Sequence, residues 1–282
     1  MNDRCAGYVG LGWATLGMLC LVGCSGLVLP LSAQEREREG ASRTAAEVTA
    51  FADDAEWRSL DPESTLYIEL PGGEVVLELA PDFAPRHVEN IRALVRGGHF
   101  DGGAITRSQD NYVVQWGPRP LEQGERFPDH IAPSLPAEFE VVGTGLPFTP
   151  IPDGDVYAPE AGFVRGFPAG RDPESGATWM AHCYGVVGVA RGNDPGSGNG
   201  GGLYVVIGHA PRHQDRNLSM VGRVVSGMEH LSTLPRGTGG LGRYESRDQW
   251  VLLESAQIGS DRSPDERSRL QILRTDSQSF QD

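Results

Sequence analysis

The 282-residue chain carries 24 cationic against 38 acidic side chains, a formal charge of −14, and every cation is Arg, with no Lys anywhere. A P-loop needs a Lys at its phosphates, and Schiff-base, pyridoxal-phosphate and Ser–Lys chemistries need an amine, so these mechanisms are excluded; an acidic chain is also poorly suited to neutralising nucleic-acid phosphates. With 39% apolar residues the chain has enough to bury a full core in one or two domains.

Residues 1–33 hold one acid and one base, Asp3 and Arg4, so the −14 belongs entirely to residues 34–282. Tyr8 to Leu31 is an apolar run interrupted by Gly23, Ser25, Gly26 and Pro30 and followed by the small pair Ser32-Ala33. A short charged start, an apolar run and small residues predict an export signal; an uncleaved transmembrane anchor is the alternative. Within it, Leu21-Val22-Gly23-Cys24 is similar to a bacterial lipoprotein box, with Cys24 as the residue that would be lipidated. Cleavage near Ala33 competes with that reading, because apolar residues continue through Gly26-Leu27-Val28-Leu29. After such a cleavage Cys183 is the one Cys left, and one Cys forms no internal bridge.

Residues 34–61 are polar and rich in Ala, Glu and Arg, and are expected to form a linker. Leu66, Ile68 and Leu70 alternate with Tyr67 and Glu69, Pro71-Gly72-Gly73 turns the chain, and Val75, Leu77 and Leu79 alternate again, which predicts a β-hairpin. Pro85 opens a helix with Val88, Ile91, Leu94 and Val95 on one face, closed by Gly97-Gly98. Strands are expected at 104–107 and 112–116. From 117 to 184 the chain is expected to be an expanded loop region with short elements, one of them a strand near 139–142. Further strands are expected at 185–190, 203–207, 220–225 and 250–258, with a short helix carrying Met228, Leu231 and Leu234, and 261–282 as a polar C-terminal tail. Strands dominate and no βαβ alternation occurs, which points to a mainly β protein built as an antiparallel barrel with helices at its ends.

The chain has seven His; His209 and His213 are four apart, but Pro211 between them prevents a shared helical face, so no metal site is expected. The glycine tract 192–202 leads into a strand instead of a helix, which removes a phosphate-binding reading. No Gly-x-Ser-x-Gly motif is present.

Phe100-Asp101-Gly102-Gly103-Ala104-Ile105-Thr106-Arg107, then Tyr112-Val113-Val114-Gln115, then Gly185 to Ala190, the Gly/Asn loop and Leu203-Tyr204-Val205-Val206 stand in a distinctive order. In that order the chain resembles the cyclophilin-type peptidyl-prolyl cis–trans isomerases over 62–260, apart from the expanded 117–184 segment. The resemblance implies a closed antiparallel barrel of about eight strands with two flanking helices. It places Arg107 on the catalytic arginine and Gln115 on the substrate-orienting glutamine. Tyr112 and Tyr204 fall on the aromatic walls of the proline pocket, Val113 and Leu218 on its lining, His213 on a rim position, and Ala190 and Arg191 where the substrate backbone is gripped. Thr106, Leu218, His213, Arg191 and Gly202 depart from the family's usual residues, so an altered substrate preference is expected.

The chemistry suits those residue types. Rotation about an Xaa–Pro bond faces a barrier of about 18–20 kcal/mol, because twisting destroys the amide resonance. The twisted state returns a lone pair to the prolyl nitrogen, and a guanidinium donor bonds it more strongly there than in either planar state. No cofactor or metal is required. The implied partners are proline-containing peptides and unfolded client proteins, with no nucleic acid, and with a membrane tether through the leader or a lipidated Cys24; the implied compartment is the periplasm. A proline-peptide binding module or chaperone with little turnover is the alternative function. The 117–184 segment is expected to be a lid, a partner surface or a tolerated insertion.

Overall fold

The computed structural model describes residues 43–118, 132–143 and 145–282. Cys24, Ala33 and the rest of the leader lie outside the described residues. An N-terminal helix, α1 (Ala45–Phe51), and a short strand, β1 (Trp57–Ser59), lead into the hairpin β2 (Thr65–Leu70) and β3 (Gly73–Leu79). Gly73 takes φ 137°, a conformation the tight turn requires and side chains resist. The hairpin's alternation sends Leu66, Ile68, Leu70, Val75, Leu77 and Leu79 into the main core. Helix α2 (Pro85–Arg96) packs Val88, Ile91, Leu94 and Val95 onto that core.

The strands β4 (Ala104–Ser108), β5 (Val113–Gly117), β11 (Val186–Val189), β12 (Leu203–Val206) and β13 (Met220–Ser226) follow the expected segments. The helix expected around Met228 is a single turn, α3 (Glu229–Ser232). The expected last strand is broken into β14 (Val251–Leu252) and β15 (Ser255–Ile258). These pair antiparallel in the order β14-β4-β5-β12-β11-β13-β3-β2-β15. The closed barrel of about eight strands is therefore corrected: the sheet has nine strands and curls, but its end strands β14 and β15 do not pair with each other. The break has a visible cause. Leu253 exchanges backbone hydrogen bonds with Gly102 and Gly103 on one side of the curl, and Glu254 donates to Glu69 on the other. One segment thus serves both ends of the sheet and cannot run as a continuous strand.

The expectation of a long loop region is corrected most strongly between 141 and 180. Strands β6 (Val141–Val142), β7 (Phe148–Pro150), β8 (Glu160–Val164), β9 (Phe167–Asp172) and β10 (Ala177–Met180) form a second antiparallel sheet in the order β6-β10-β9-β8-β7. Gly162, Gly166, Gly170 and the prolines hide the strand period in the sequence. Gly170 is required because a Cβ there would strike the Trp179 ring at 2.6 Å. The sheet buries Val164, Phe167, Ala169 and Met180 against Val113, Val186, Tyr204, Val206 and Met220, on the outer face of the main sheet. The interior face carries Val114, Trp116, Val187, Val189, Leu203 and Val205 in the main core. Alternate residues of the same strands thus serve two cores, which is why these strands read as continuous apolar runs.

The insertion also caps α2. Ala84 offers no capping side chain; instead Glu138 accepts from the backbone N–H groups of Arg86 (3.1 Å) and His87 (3.0 Å) and bonds His87 Nδ1 (2.6 Å). Burial raises the Glu138 carboxyl, but the bonds from His87 and Arg86 outweigh it and hold it below its ordinary 4.5. A lowered folded-state value means stability present above pH 4.5 and lost as pH falls through the folded value. Glu138→Gln is expected to cost about 1 kcal/mol at pH 7, with the gap to wild type closing in acid. Urea unfolding at both pH values checks this; a gap independent of pH would contradict it.

Neither end of the described chain is the free linker or peripheral tail that its polarity suggests. Strand β16 (Gln271–Leu273) pairs with β1, Arg58 opposite Ile272. Thr275 and Ser277 are buried, and Ser279 of the last turn, α4 (Gln278–Gln281), bonds Glu56. Arg262 lies 3.9 Å over the Tyr67 ring, and Ser268 donates to the Tyr67 hydroxyl. Polar residues here cover the hairpin's second face through hydrogen bonds, a signal that hydrophobic periodicity does not carry. Deleting 262–282 is expected to lower Tm by roughly 10 °C, and an unchanged melt would restore the peripheral reading.

Candidate active site

Pairing register brings the expected residues together. Arg107 on β4 stands opposite Gln115 on β5, Gln115 opposite Tyr204 on β12, and Tyr204 opposite Gly188 on β11. Val113, two residues from Gln115 and on the same face, stands opposite Val206. A register shift between Ile105 and Arg107 leaves Thr106 as the extra residue, and that bulge brings Arg107 into the row.

The row forms one wall of a pocket of about 310 Å³, lined among others by Arg107, Tyr112, Val113, Gln115, Tyr204 and Leu218. Ala190 and Arg191 lie on the same lining. Arg107 is half-buried and fixed from several sides: Nη1 donates to Gln115 Oε1 (3.1 Å), Nε to the Leu241 carbonyl (2.6 Å) and Nη2 to Gln109 Oε1, with the guanidinium 5.5 Å from the Tyr112 ring centre. Burial pulls the Arg107 pKa down, yet a guanidinium stays charged. Leu241 takes φ 59° in a Gly-rich loop and is two-thirds exposed. That loop pairs with β4 through the Arg107–Arg243 bridge and Tyr244 N–H to the Thr106 carbonyl.

Not every expected residue lines the pocket. His213 stands outside it, its ring 6.2 Å from that of Tyr112 and its Nδ1 on the Ala210 carbonyl; Gln214 and Pro211 line the pocket in its place. The turn Ala210–Gln214 explains this, because a tight helical turn points successive side chains in different directions. Arg191 lines the pocket, but its Nη1 bonds the Gly192 and Asn193 carbonyls and its Nη2 bonds Asn217. Its guanidinium therefore rigidifies the loop beside Ala190, whose N–H is bonded to Gly202.

His182 and Asp215 are the residues sequence reasoning missed. His182 is fully buried, lines the pocket and bonds the Tyr204 hydroxyl through Nε2 (3.0 Å). Its Nδ1 and its backbone N–H both meet Asp215 Oδ1 (3.0 and 2.8 Å), and Arg212 Nε donates to Asp215 Oδ2 (3.1 Å). An anionic acceptor at Nδ1 fixes the proton there, so Nε2 accepts from Tyr204. Tyr204 is thus more than an aromatic wall: its hydroxyl is tied into a chain of side chains behind the pocket, and burial pushes its pKa up, so it stays a donor. The hydroxyl needs a space that Gly188 leaves. A Cβ at 188 would overlap the Tyr204 hydroxyl and lie 2.9 Å from Met220 Sδ. The signal that could have found this is the co-occurrence of Tyr204, Gly188 and a His just before β11.

A second cleft, about 510 Å³, lies among Arg58, Glu78, Phe167, Arg165, Asp82 and Arg274. Its charges are spent on one another: Arg58 and Arg223 on Glu78, Arg165 on Asp82 (3.0 Å) and Arg274 on Asp276 (2.9 Å). Each guanidinium there meets a carboxylate, whereas Arg107 bonds amide and carbonyl oxygens beside apolar walls. Among the described residues no group of three or more His, Cys, Asp or Glu is placed to hold a metal ion, and no helix is long and apolar enough to cross a membrane.

The class of protein defined here is a curled antiparallel sheet that sets one half-buried, oriented Arg beside an aromatic-walled pocket, a concave site suited to an apolar, peptide-sized group. The sequence profile described as cyclophilin type peptidyl-prolyl cis-trans isomerase/CLD matches residues 65–254, and the chain belongs to this family. A probable peptidyl-prolyl cis-trans isomerase of Brucella suis is 29% identical over 178 residues, covering 63% of this chain and 74% of its own length. Its counterpart in Brucella abortus is 28% identical over the same span. The crystal structure of the cyclophilin AquaCyp293 from Hirschia baltica superposes with a TM-score of 0.68 at 30% identity, covering 86% of this chain and 90% of that one. The fold is that of the cyclophilins and the activity is peptidyl-prolyl cis–trans isomerisation.

Proposed function

We propose that the chain turns Xaa–Pro bonds in the Arg107 pocket and does so for exported polypeptides during their folding. The observation that carries the assignment is the cross-strand row Arg107–Gln115–Tyr204 along the pocket wall. In this reading the prolyl ring enters against Tyr112, Val113, Tyr204 and Leu218, which exclude water. The Arg107 guanidinium, already held by Gln115 and the Leu241 carbonyl, donates to the prolyl nitrogen as the bond twists. It does not have to be organised at the moment of reaction, which is where such a donor gains over water. Gln115 steadies both Arg107 and the carbonyl preceding the proline, and the loop at Ala190 and Arg191 receives the peptide backbone. No bond is made or broken, and no proton leaves the substrate.

Exchange spectroscopy on a Xaa–Pro peptide with catalytic amounts of protein tests the site. Cis–trans cross-peaks that vanish when a proline-ring competitor fills the pocket support it; binding shifts with no exchange would leave only a proline-peptide binding module. The export half rests on the apolar leader before Ala33. Residues 1–33 fused to a reporter that lacks its own signal are expected to carry it out of the cytoplasm, with Cys24→Ser altering membrane retention only under the lipoprotein reading. A reporter retained in the cytoplasm would end the export assignment.

A further inference from the structure

The pocket has a charge balance opposite to that of the chain. Residues 34–282 carry the whole −14, yet among the described residues no Asp or Glu stands on the pocket lining, while Arg107, Arg191 and Arg243 all do. Two of these guanidinium groups are already engaged. Arg107 donates to Leu241, Gln115 and Gln109, and Arg191 to Gly192, Asn193 and Asn217. Arg243 is different. Its side chain is exposed, and among the described residues its guanidinium meets neither a carboxylate nor a carbonyl oxygen. Glu245, two residues on, lies against Gly239 instead.

The backbone of Arg243, by contrast, is pinned. Arg243 forms an antiparallel bridge with Arg107, its carbonyl accepts from the Gly239 N–H (3.0 Å) and its own N–H donates to the Gly240 carbonyl (3.3 Å). Gly242, at φ 73°, passes so close to Gln109 that a Cβ there would lie 2.6 Å from the Gln109 Cα. Antiparallel bridge partners stand side by side, with Cβ atoms about 4.5–5.5 Å apart, so the Arg243 side chain rises next to Arg107 from a fixed base. Two like charges thus stand together with no Asp or Glu of the lining between them. Burial lowers the Arg107 pKa most, and the Arg243 charge lowers it further.

We propose that Arg243 sets a substrate preference: it binds the carboxylate of an Asp or Glu next to the isomerised proline, so that the pocket favours acidic prolyl segments over neutral ones. The placement follows from reach. With the proline at Arg107, an extended peptide puts the neighbouring residue about 3.3–3.6 Å along the chain, comparable to the step from Arg107 to its bridge partner. The choice of arginine follows from the donors. Each Arg107 nitrogen already has an acceptor and keeps only its spare N–H groups for the prolyl nitrogen, and Arg191 is committed to its own loop, whereas the Arg243 fork is open to a carboxylate. The contact is the same in the planar and twisted states of the bond, so it acts on KM and leaves kcat alone. This preference rests on the assignment of isomerisation to the Arg107 pocket.

The test compares Glu with its neutral isostere Gln, placed either just before or just after the proline, in peptides capped at both ends, with exchange spectroscopy on the full chain. In one of the two placements wild type is expected to favour Glu by about fivefold in kcat/KM at low salt, the size of an exposed ion pair, with the ratio falling towards one in 0.5 M salt as the charges are screened. Arg243→Gln is expected to bring the Glu/Gln ratio to about one, and Arg243→Lys to restore part of it. Arg269→Gln, which removes the same charge from an exposed position of the C-terminal tail off the pocket lining, is expected to keep the wild-type ratio. A wild-type ratio near one in both placements would overturn the preference. A ratio that survives Arg243→Gln would overturn Arg243 as its source, and an equal loss in Arg269→Gln would reduce the effect to net charge. If wild type turns neither the Glu nor the Gln peptides, the assignment of the pocket itself fails, and the preference with it.

Discussion

Replacing Arg107 with Ala is expected to slow cis–trans exchange of a Xaa–Pro peptide by roughly 10²–10³-fold, the range seen when one oriented transition-state donor is removed. The fold is expected to survive. Arg107 is half-buried and its partners are the Gln115 and Gln109 amides and the Leu241 carbonyl, none of which becomes a buried unpaired charge on its removal. The proton demand also matters: a guanidinium loses nothing between pH 6 and 9, so the wild-type rate is expected to be flat across that range. Arg107→Lys is informative as a second variant, because an ammonium keeps the charge but cannot serve Gln115, Leu241 and a substrate nitrogen from one rigid fork. Most of the activity is expected to be missing there too. Wild-type rates in Arg107→Ala, with far-ultraviolet circular dichroism unchanged, would remove Arg107 from the mechanism.

Asp215→Ala is expected to give the largest loss of stability. Its carboxylate receives the His182 backbone N–H, His182 Nδ1 and Arg212 Nε, and its side chain is 5% exposed beside a fully buried His182. Removing the anion strips two donors of His182 of their acceptor and takes one of the two carboxylates from Arg212, a change that costs about 3–5 kcal/mol when one partner of a buried pair is deleted. For a chain of this size that corresponds to roughly 10 °C in Tm. Isomerisation is expected to fall as well, because His182 anchors the Tyr204 wall through its hydroxyl. Tyr204→Phe separates the two effects: it leaves Asp215 and Arg212 paired, removes the hydroxyl's contacts with His182 Nε2 and Met220 Sδ, and is expected to cost about 1–2 kcal/mol. A melting temperature unchanged by Asp215→Ala would mean that the chain behind the pocket does not support it.

The contrast between these two residues marks what the sequence can express. Arg107, Val113 and Gln115 lie on consecutive strands of one hairpin and Tyr112 in the turn that joins them, so their spacing is a local pattern that survives translation into sequence. Asp215 and His182 are 33 residues apart and meet only because β11 and β13 pair and the turn after β12 folds back; no local period encodes that. The same reason hid the insertion's sheet. Alternating inward residues predicted the hairpin β2–β3, but β8 and β9 each carry a Gly, Gly162 and Gly170, where the neighbouring Thr149 and Trp179 pass too close for a side chain. The open ends of the main sheet were illegible for a different reason: 250–258 has the composition of one strand, and only the positions of Gly103 and Glu69 divide it in two. The tail's burial depends on Arg262, Ser268 and Thr275, polar residues whose place is fixed by partners far along the chain.

The most direct test of the central claim is a titration of isotope-labelled protein with a Xaa–Pro peptide, followed through backbone amide shifts and exchange broadening. Shifts centred on Val113, Gln115, Ala190 and Gly192, with broadening that tracks cis–trans exchange of the peptide, are the predicted result. Shifts centred instead on the larger cleft around Arg58, Phe167 and Arg274, with the Arg107 row unperturbed, would contradict it.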